Sequence, residues 1–284
     1  LQTGAKHLTS TSDSVQDHYA VNNLGQSILD TLKSIGKDIN ALTPTDLAPV
    51  DAFHLRGRES TIELARQVRL DSERHVLDVG SGIGGSARYL ASEFGCRVTG
   101  LDLTQDYSDV ATMLSGLTGL GDSTTFQQGS ALEIPFDSET FDVVWTEHAQ
   151  MNISDKETFY SEIARVLKPG GLLAFHDIFR GESESVDFPV PWAGDPSISF
   201  LAPLGEVEQI LRNNGLHPRH WDDVTQKSVE WFRKMAANAR TQGPSPLSLR
   251  LVMGDDIAAK IQNFARNLER GSIAAVLAVL EKME

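Results

Sequence analysis

The stretch HVLDVGSGIGG, residues 75–85, decides how this chain folds. Val76, Leu77 and Val79 form a short apolar run that predicts a buried parallel strand. Glycines follow at positions 80, 82 and 84, and SARYLASEF then reads as a helix. A strand that ends in glycines and feeds a helix is a strand–tight turn–helix unit. It brings bare backbone to a helix N-terminus, where a cofactor can approach closely. Gly80, Gly82 and Gly85 also satisfy the dinucleotide pattern G-x-G-x-x-G, so the glycines alone leave two cofactor classes open. Asp78 separates them. A carboxylate at the strand's carboxyl end would repel a pyrophosphate. It suits a cofactor with a cationic amino group and no phosphate, which favours S-adenosylmethionine over NAD.

Composition frames that reading. At 284 residues the chain holds one large domain, or one domain with a cap, and 40% hydrophobic with 23% charged residues is ordinary for a soluble globular protein. A net charge of −14 and a pI near 5.0 argue against nucleic acid or an anionic membrane as the main partner. The acidity is compatible with a cationic substrate, although solubility alone accounts for it. The single cysteine, Cys96, excludes an internal disulfide and a cysteine-rich metal site, and no metal is expected. No apolar run approaches the roughly 20 residues that span a bilayer, so no membrane insertion is expected. LQTGAKHLTSTSDS lacks the apolar core of a secretory signal, which makes the expected location cytoplasmic. Asn152-Ile153-Ser154 then matches a glycosylation sequon by chance.

Residues 1–14 are polar and read as a frayed tail, and residues 15–70 as a helical extension lying over the cofactor edge. Within it, residues 23–36 carry Ile28, Leu29, Leu32 and Ile35 at helical spacing; Gly36, Pro44 and Pro49 break the pattern, and a second helix is expected over 60–69. Residues 71–284 form the main domain, with cap insertions at about 178–202 and 225–270. Strands are predicted at 75–79, 97–101, 123–127, 141–146, 172–176 and 216–223. Helices are predicted at about 84–94, 105–117, 155–167, 203–214, 225–240 and 254–268, the last two split at Gly243-Pro244-Ser-Pro246. Thr104 and Asp155 or Ser154 are candidate N-caps. Strands alternating with helices at this spacing predict a doubly wound, mostly parallel sheet. SIAAVLAVLEK, residues 272–282, fits either a helix or an edge strand.

Ligands of such folds bind outside the carboxyl ends of the strands, beside the first. That rule nominates Asp78 and the glycine turn, Asp102 for a ribose diol, Ser130 and Ala131 for an adenine edge, Glu147, His148 and Gln150 after strand four, and His176 and Asp177 on strand five. VLDVGSGIGG, LDLT, QGSALEIPF, FDVVW and RVLKPGGLLAF, in that order, resemble the motifs of class I S-adenosylmethionine-dependent methyltransferases. FHLRGRES, TEHAQMNI and FPVPWAGDPSISFL further resemble the small-molecule branch, which includes glycine/sarcosine/dimethylglycine, tocopherol, quinone and sterol methyltransferases.

The resemblance implies a Rossmann-like fold with a seven-stranded, mostly parallel sheet and a helical cap. It also implies direct methyl displacement from S-adenosyl-L-methionine, leaving S-adenosyl-L-homocysteine. Carried over, Gly80, Ser81 and Gly82 would meet the methionine part of the cofactor and Asp78 its amino end. Asp102 would hold the ribose and Leu103 pack on adenine, with Ser130 and Ala131 at its edge. Many relatives have Asp where this chain has Ser130, whose hydroxyl accepts from the adenine amino group more weakly. His18-Tyr19 resembles an aromatic pair that closes over the cofactor, and Gly57 the glycine of a turn beside it.

Because the sulfonium is a good leaving group, the protein's tasks are alignment and desolvation. His148 is the expected base or orienting group, and Glu147 contacts cofactor or substrate. Gln150, Trp192, Phe200 and Trp231 are the expected substrate contacts, with Phe188 and Phe232 also in the aromatic cap. The expected partner is a small-molecule methyl acceptor, on a monomer or homodimer. An amine of the glycine, sarcosine or dimethylglycine type comes first. A quinol, tocopherol-like or secondary-metabolite ring methylated at carbon or oxygen is the alternative. A cofactor-binding protein without catalysis is the third reading.

Overall fold

The computed structural model describes residues 3–21, 23–183, 185–242 and 245–283. The chain opens with four helices, α1 (Thr3–Tyr19), α2 (Leu24–Ser34), α3 (Pro44–Asp51) and α4 (Arg58–Ala65). The alternating region runs β1 (His75–Val79), α5 (Gly85–Phe94), β2 (Arg97–Asp102), α6 (Gln105–Leu117), β3 (Thr124–Gln128), β4 (Phe141–Glu147), α7 (Lys156–Val166) and β5 (Leu167–Arg180). It ends with α8 (Leu204–Asn213), β6 (Leu216–Asp223), α9 (Thr225–Gln242), α10 (Arg250–Met253), α11 (Ile257–Glu269) and β7 (Ile273–Lys282).

One sheet of seven strands has the order β3-β2-β1-β4-β5-β7-β6. Strand β1 is central and parallel to both β2 and β4, so the winding reverses there and opens a crevice at the strands' carboxyl ends. The side-chain period of two splits β1 between the two faces. Val76 packs with Val98, Val143 and Trp145 on one side, while Leu77 and Val79 pack with Val144, Phe159 and Phe175 on the other. A third cluster joins the N-terminal helices to α6: Leu24, Ile28, Leu32, Leu47 and Val50 bury against Tyr107 and Leu114. It fixes the extension beside the crevice.

Five local expectations are corrected. The tail read as frayed is helical from Thr3 onward. Helix α3 lies where prolines were read as breaks: Pro44 occupies the first turn, where its missing N–H is no loss, and Thr43 with Asp46 forms a capping box. Strand β5 extends to Arg180, beyond the expected residue 176, and so absorbs the start of the 178–202 insertion. Residues 273–282 are a strand, yet an interior one, paired antiparallel to β5 on one side and β6 on the other. Thr104 makes no side-chain cap bond, whereas Asp155 accepts the Thr158 amide as expected. Gly243 and Pro244 of the expected break lie outside the described residues. No helix among the described residues is long and apolar enough to cross a membrane.

Candidate active site

The glycine turn forms the floor of the crevice. Gly80, Gly82 and Gly84 have φ of 77°, 52° and 82°, a region in which side chains are strained. Space is short as well: a Cβ on Gly82 would lie 2.5 Å from Cζ of Phe53, and one on Gly80 2.8 Å from Cβ of Ala149. The Gly80 amide donates to the Leu101 carbonyl at 2.8 Å. The Gly82 amide donates to Asp102 Oδ2 at 2.8 Å, and the Thr104 amide to Asp102 Oδ1 at 2.9 Å. Asp102 therefore ties the turn after β1 to the end of β2.

Asp78, Gly80, Ser81 and Gly82 line one pocket with Asp102 and Leu103. Ser130 and Ala131 border it beyond β3, and Tyr19 of α1 closes it from above. The Tyr19 hydroxyl donates to Asn152 Oδ1 at 2.9 Å, and burial pushes its ionisation far up. Asp78 is 2% exposed, and its Oδ2, like the Ser81 hydroxyl, has no hydrogen-bond partner. Burial drives the Asp78 carboxyl well above the usual range, the Glu147 and Asp102 carboxylates add to this, and the Ala87 amide opposes it in part. A buried carboxylate without a counter-charge is costly. A ligand that brings an ammonium group here relieves that cost, so the residues present fit the cofactor expected from the sequence.

At the pocket's inner end, β4 and β5 bring two candidate residues side by side, Glu147 opposite His176. Glu147 accepts from Ser86 Oγ at 2.6 Å, from Trp145 Nε1 at 3.0 Å and from Thr61 Oγ1 at 3.1 Å. His54, from the turn before α4, places Nδ1 3.5 Å from Glu147 Oε1. His148 follows with φ 57°, a strained left-handed conformation for a non-glycine residue that aims its ring back into the pocket. Its Nε2 accepts the Leu55 amide at 3.3 Å. Burial, reinforced by His54, pushes its ionisation well down, so the ring is neutral at pH 7. The His148 and His176 rings lie 5.0 Å apart.

Trp192 lines the pocket, its Nε1 anchored on Ser199 Oγ at 3.0 Å. Four expected contacts do not line it. Gln150 is fully buried behind the floor, where its Nε2 donates to the Ile178 carbonyl at 2.7 Å. Phe200 braces the insertion through its amide on the Met151 carbonyl at 2.7 Å. Trp231 stacks edge-on against Phe232, 5.2 Å away, inside the cap. Gly57, with φ 53°, caps α4 and shapes the turn that carries His54. Conversely, Phe53, His54, Met151 and Asn152 line the pocket without having been singled out. The FH pair opening FHLRGRES was the available signal, but only the tertiary fold sets it against Glu147.

A family model described as "Methyltransferase domain" matches residues 77–175. The chain is 34% identical over 205 residues to a sarcosine/dimethylglycine N-methyltransferase of Halorhodospira halochloris, covering 68% of this chain and 72% of that protein. It is 30% identical over 169 residues to a glycine/sarcosine/dimethylglycine N-methyltransferase of Actinopolyspora halophila, covering 59% of this chain but 30% of that protein, so the chain spans under a third of this relative's length. Other matches are named tocopherol O-methyltransferases and sterol 24-C-methyltransferases. The fold superposes on geranyl diphosphate C-methyltransferase from Streptomyces coelicolor A3(2), solved with S-adenosyl-L-homocysteine, with a TM-score of 0.68 and 18% identity over 96% of this chain and 98% of that one. The chain belongs to the class I S-adenosylmethionine-dependent methyltransferases of the small-molecule kind. S-adenosylmethionine is the cofactor of that family.

Proposed function

We propose that this chain transfers a methyl group from S-adenosylmethionine to a small acceptor, and that the acceptor is an amine. One observation carries the reading. The described residues lining the pocket include Asp51, Asp78, Asp102 and Glu147 but no lysine or arginine. Asp51 is neutralised by Arg88 at 2.6 Å; the others face the pocket without a basic partner of that kind. A phosphorylated acceptor has no lysine or arginine to meet there, and neither has the carboxylate of an amino acid. The amine reading therefore narrows to acceptors whose anionic group, where one exists, stays outside the pocket.

When bound, the cofactor supplies a methyl group on a sulfonium and leaves as a neutral thioether. The chain's own residues do the rest. Trp192, Met151 and Phe53 exclude water and present an apolar wall, and a tryptophan face attracts a cationic amine. Tyr19 and Asn152 close the pocket as a hydrogen-bonded pair. His148, neutral and lining the pocket, accepts the Leu55 amide at Nε2, so its Nδ1 carries the ring proton and is suited to orienting the acceptor by donating a hydrogen bond. The same donor suits the oxygen of a phenol or quinol, which is the specific reason to keep carbon or oxygen methylation of a ring as the second reading. A labelled-methyl transfer screen over amines, phenols and quinols tests both. Transfer to amines without an anionic group is expected; turnover confined to phosphorylated or carboxylated acceptors would overturn the charge argument.

A further inference from the structure

We propose that His54, Glu147 and His176 form a binding site for one divalent transition-metal ion at the inner wall of the pocket. One ligand atom from each residue lies within 4.8 Å of the other two. Donors around a tetrahedral ion with bonds near 2.1 Å sit about 3.4 Å apart, so the side chains need a modest inward shift and no backbone rearrangement. The second observation is His176 itself. It is 0% exposed, and both of its ring nitrogens lack a partner. A buried imidazole with neither nitrogen satisfied is unusual, and a role as a metal ligand accounts for it.

The surroundings are those of a held site. Glu147 is fixed by Trp145, Ser86 and Thr61. His54 is steadied by Ser60 Oγ and Thr61 Oγ1, each at 3.2 Å. Such outer contacts orient ligands before the ion arrives. The side chains of His54 and Glu147 are 9% and 4% exposed, so solvent does not compete freely. Two imidazoles and one carboxylate select zinc, cobalt or iron(II) over magnesium or calcium, which prefer all-oxygen shells. His148 is not counted as a ligand, because it stands outside the cluster that His54, Glu147 and His176 form. His54 and Glu147 line the pocket whereas His176 lies behind it, so an ion held by all three leaves a coordination position facing the acceptor. The sequence, with its single cysteine, pointed to no metal; the site comes from residues separated by 93 and 29 positions that the fold brings together.

The proposal rests on these side chains and not on the methyl-transfer reading, and its test contains no acceptor. The purified full chain is stripped with a chelator and titrated with Co2+ and with Zn2+. Calorimetry gives stoichiometry, and the visible ligand-field absorption of Co2+ reports four- or five-coordination by imidazole and carboxylate. One equivalent per chain is expected. His54→Ala and His176→Ala should each weaken binding by about 100-fold or more, while His217→Ala, an exposed histidine far along the chain, should bind like the wild type. If His176→Ala fails to fold, His176→Phe keeps the ring volume, and retained S-adenosylmethionine binding certifies each variant as folded. A folded wild-type chain that binds neither ion at micromolar concentration overturns the site. So does binding that survives in both histidine variants.

Discussion

The amide of Gly82 and the carboxylate of Asp102 are 2.8 Å apart, so the acid that ends β2 holds the turn that follows β1. Its other oxygen takes the Thr104 amide at 2.9 Å. An acid expected to grip a ribose is thus also the clamp on the glycine turn. Asp102→Ala should therefore cost twice. Cofactor affinity is expected to fall by about 100-fold or more, and stability by about 1–3 kcal/mol because two part-buried amides lose their acceptor. Titration calorimetry and urea melts measure the two effects separately. A variant that loses affinity with unchanged stability would show that the clamp is energetically idle.

Asp78 is expected to make cofactor binding a proton-linked event. Burial holds its carboxyl well above the usual range, so the free protein keeps a proton there at pH values where an exposed aspartate has lost it. An ammonium group arriving beside it favours the ionised form, and binding then expels the proton. Affinity is expected to rise with pH, starting above the ordinary carboxylate range and levelling off once Asp78 ionises unaided. Asp78→Asn should abolish the rise. Calorimetry in buffers of different ionisation enthalpy counts the released proton directly; a count of zero contradicts this account.

His148 should separate chemistry from binding. His148→Ala is expected to lower kcat by about tenfold, the order of one lost orienting hydrogen bond, and to leave cofactor affinity within about threefold. Single-turnover kinetics against calorimetry make the distinction. Equal losses in both would make the ring a wall of the cofactor site.

At the other end of β1, His75 sets an acid limit on stability. Its ring packs 4.5 Å from Phe141, and burial, with Arg97 adding, depresses its pKa from 6.5 to about 4. Between those two values the unfolded chain binds a proton that the folded chain refuses. Stability therefore falls as pH drops from about 6.5 to about 4. His75→Gln should flatten that part of the profile. Urea melts at pH 7 and pH 5 decide it: the variant should lose less stability between them than the wild type.

Much of the fold was legible because its signals are local. Residues 75–79 form a strand because Val76, Leu77 and Val79 are apolar on both faces, and the turn is bent because glycines stand where φ is positive. The limits of α6 and β6 fall where the sequence put them, at 105–117 and 216–223. Legibility failed where a residue's meaning depends on distant neighbours. Pro44 reads as a breaker until Thr43 is seen capping the helix it begins. Residues 273–282 carry no period, since both faces of an interior strand are covered. The pocket shows the same division. Asp78, Asp102 and the glycines follow from strand ends, whereas Trp231 and Phe200 were assigned by aromaticity alone and pack elsewhere. His54 meets Glu147 across 93 positions of chain, a proximity no local pattern encodes.

The seating of β7 between β5 and β6 has a consequence for biosynthesis. A ribosome delivers β5 and β6 well before residues 273–282, and neither can complete its pairing until they emerge. The nascent protein thus carries a bare, apolar strand edge on β5, and β6 waits with no ladder to join. The cofactor half of the sheet, β3-β2-β1-β4, needs nothing from that late segment. Synthesis order and ligand order coincide: the turn around Gly82 can assemble while the opposite edge is still an unpaired, aggregation-prone margin.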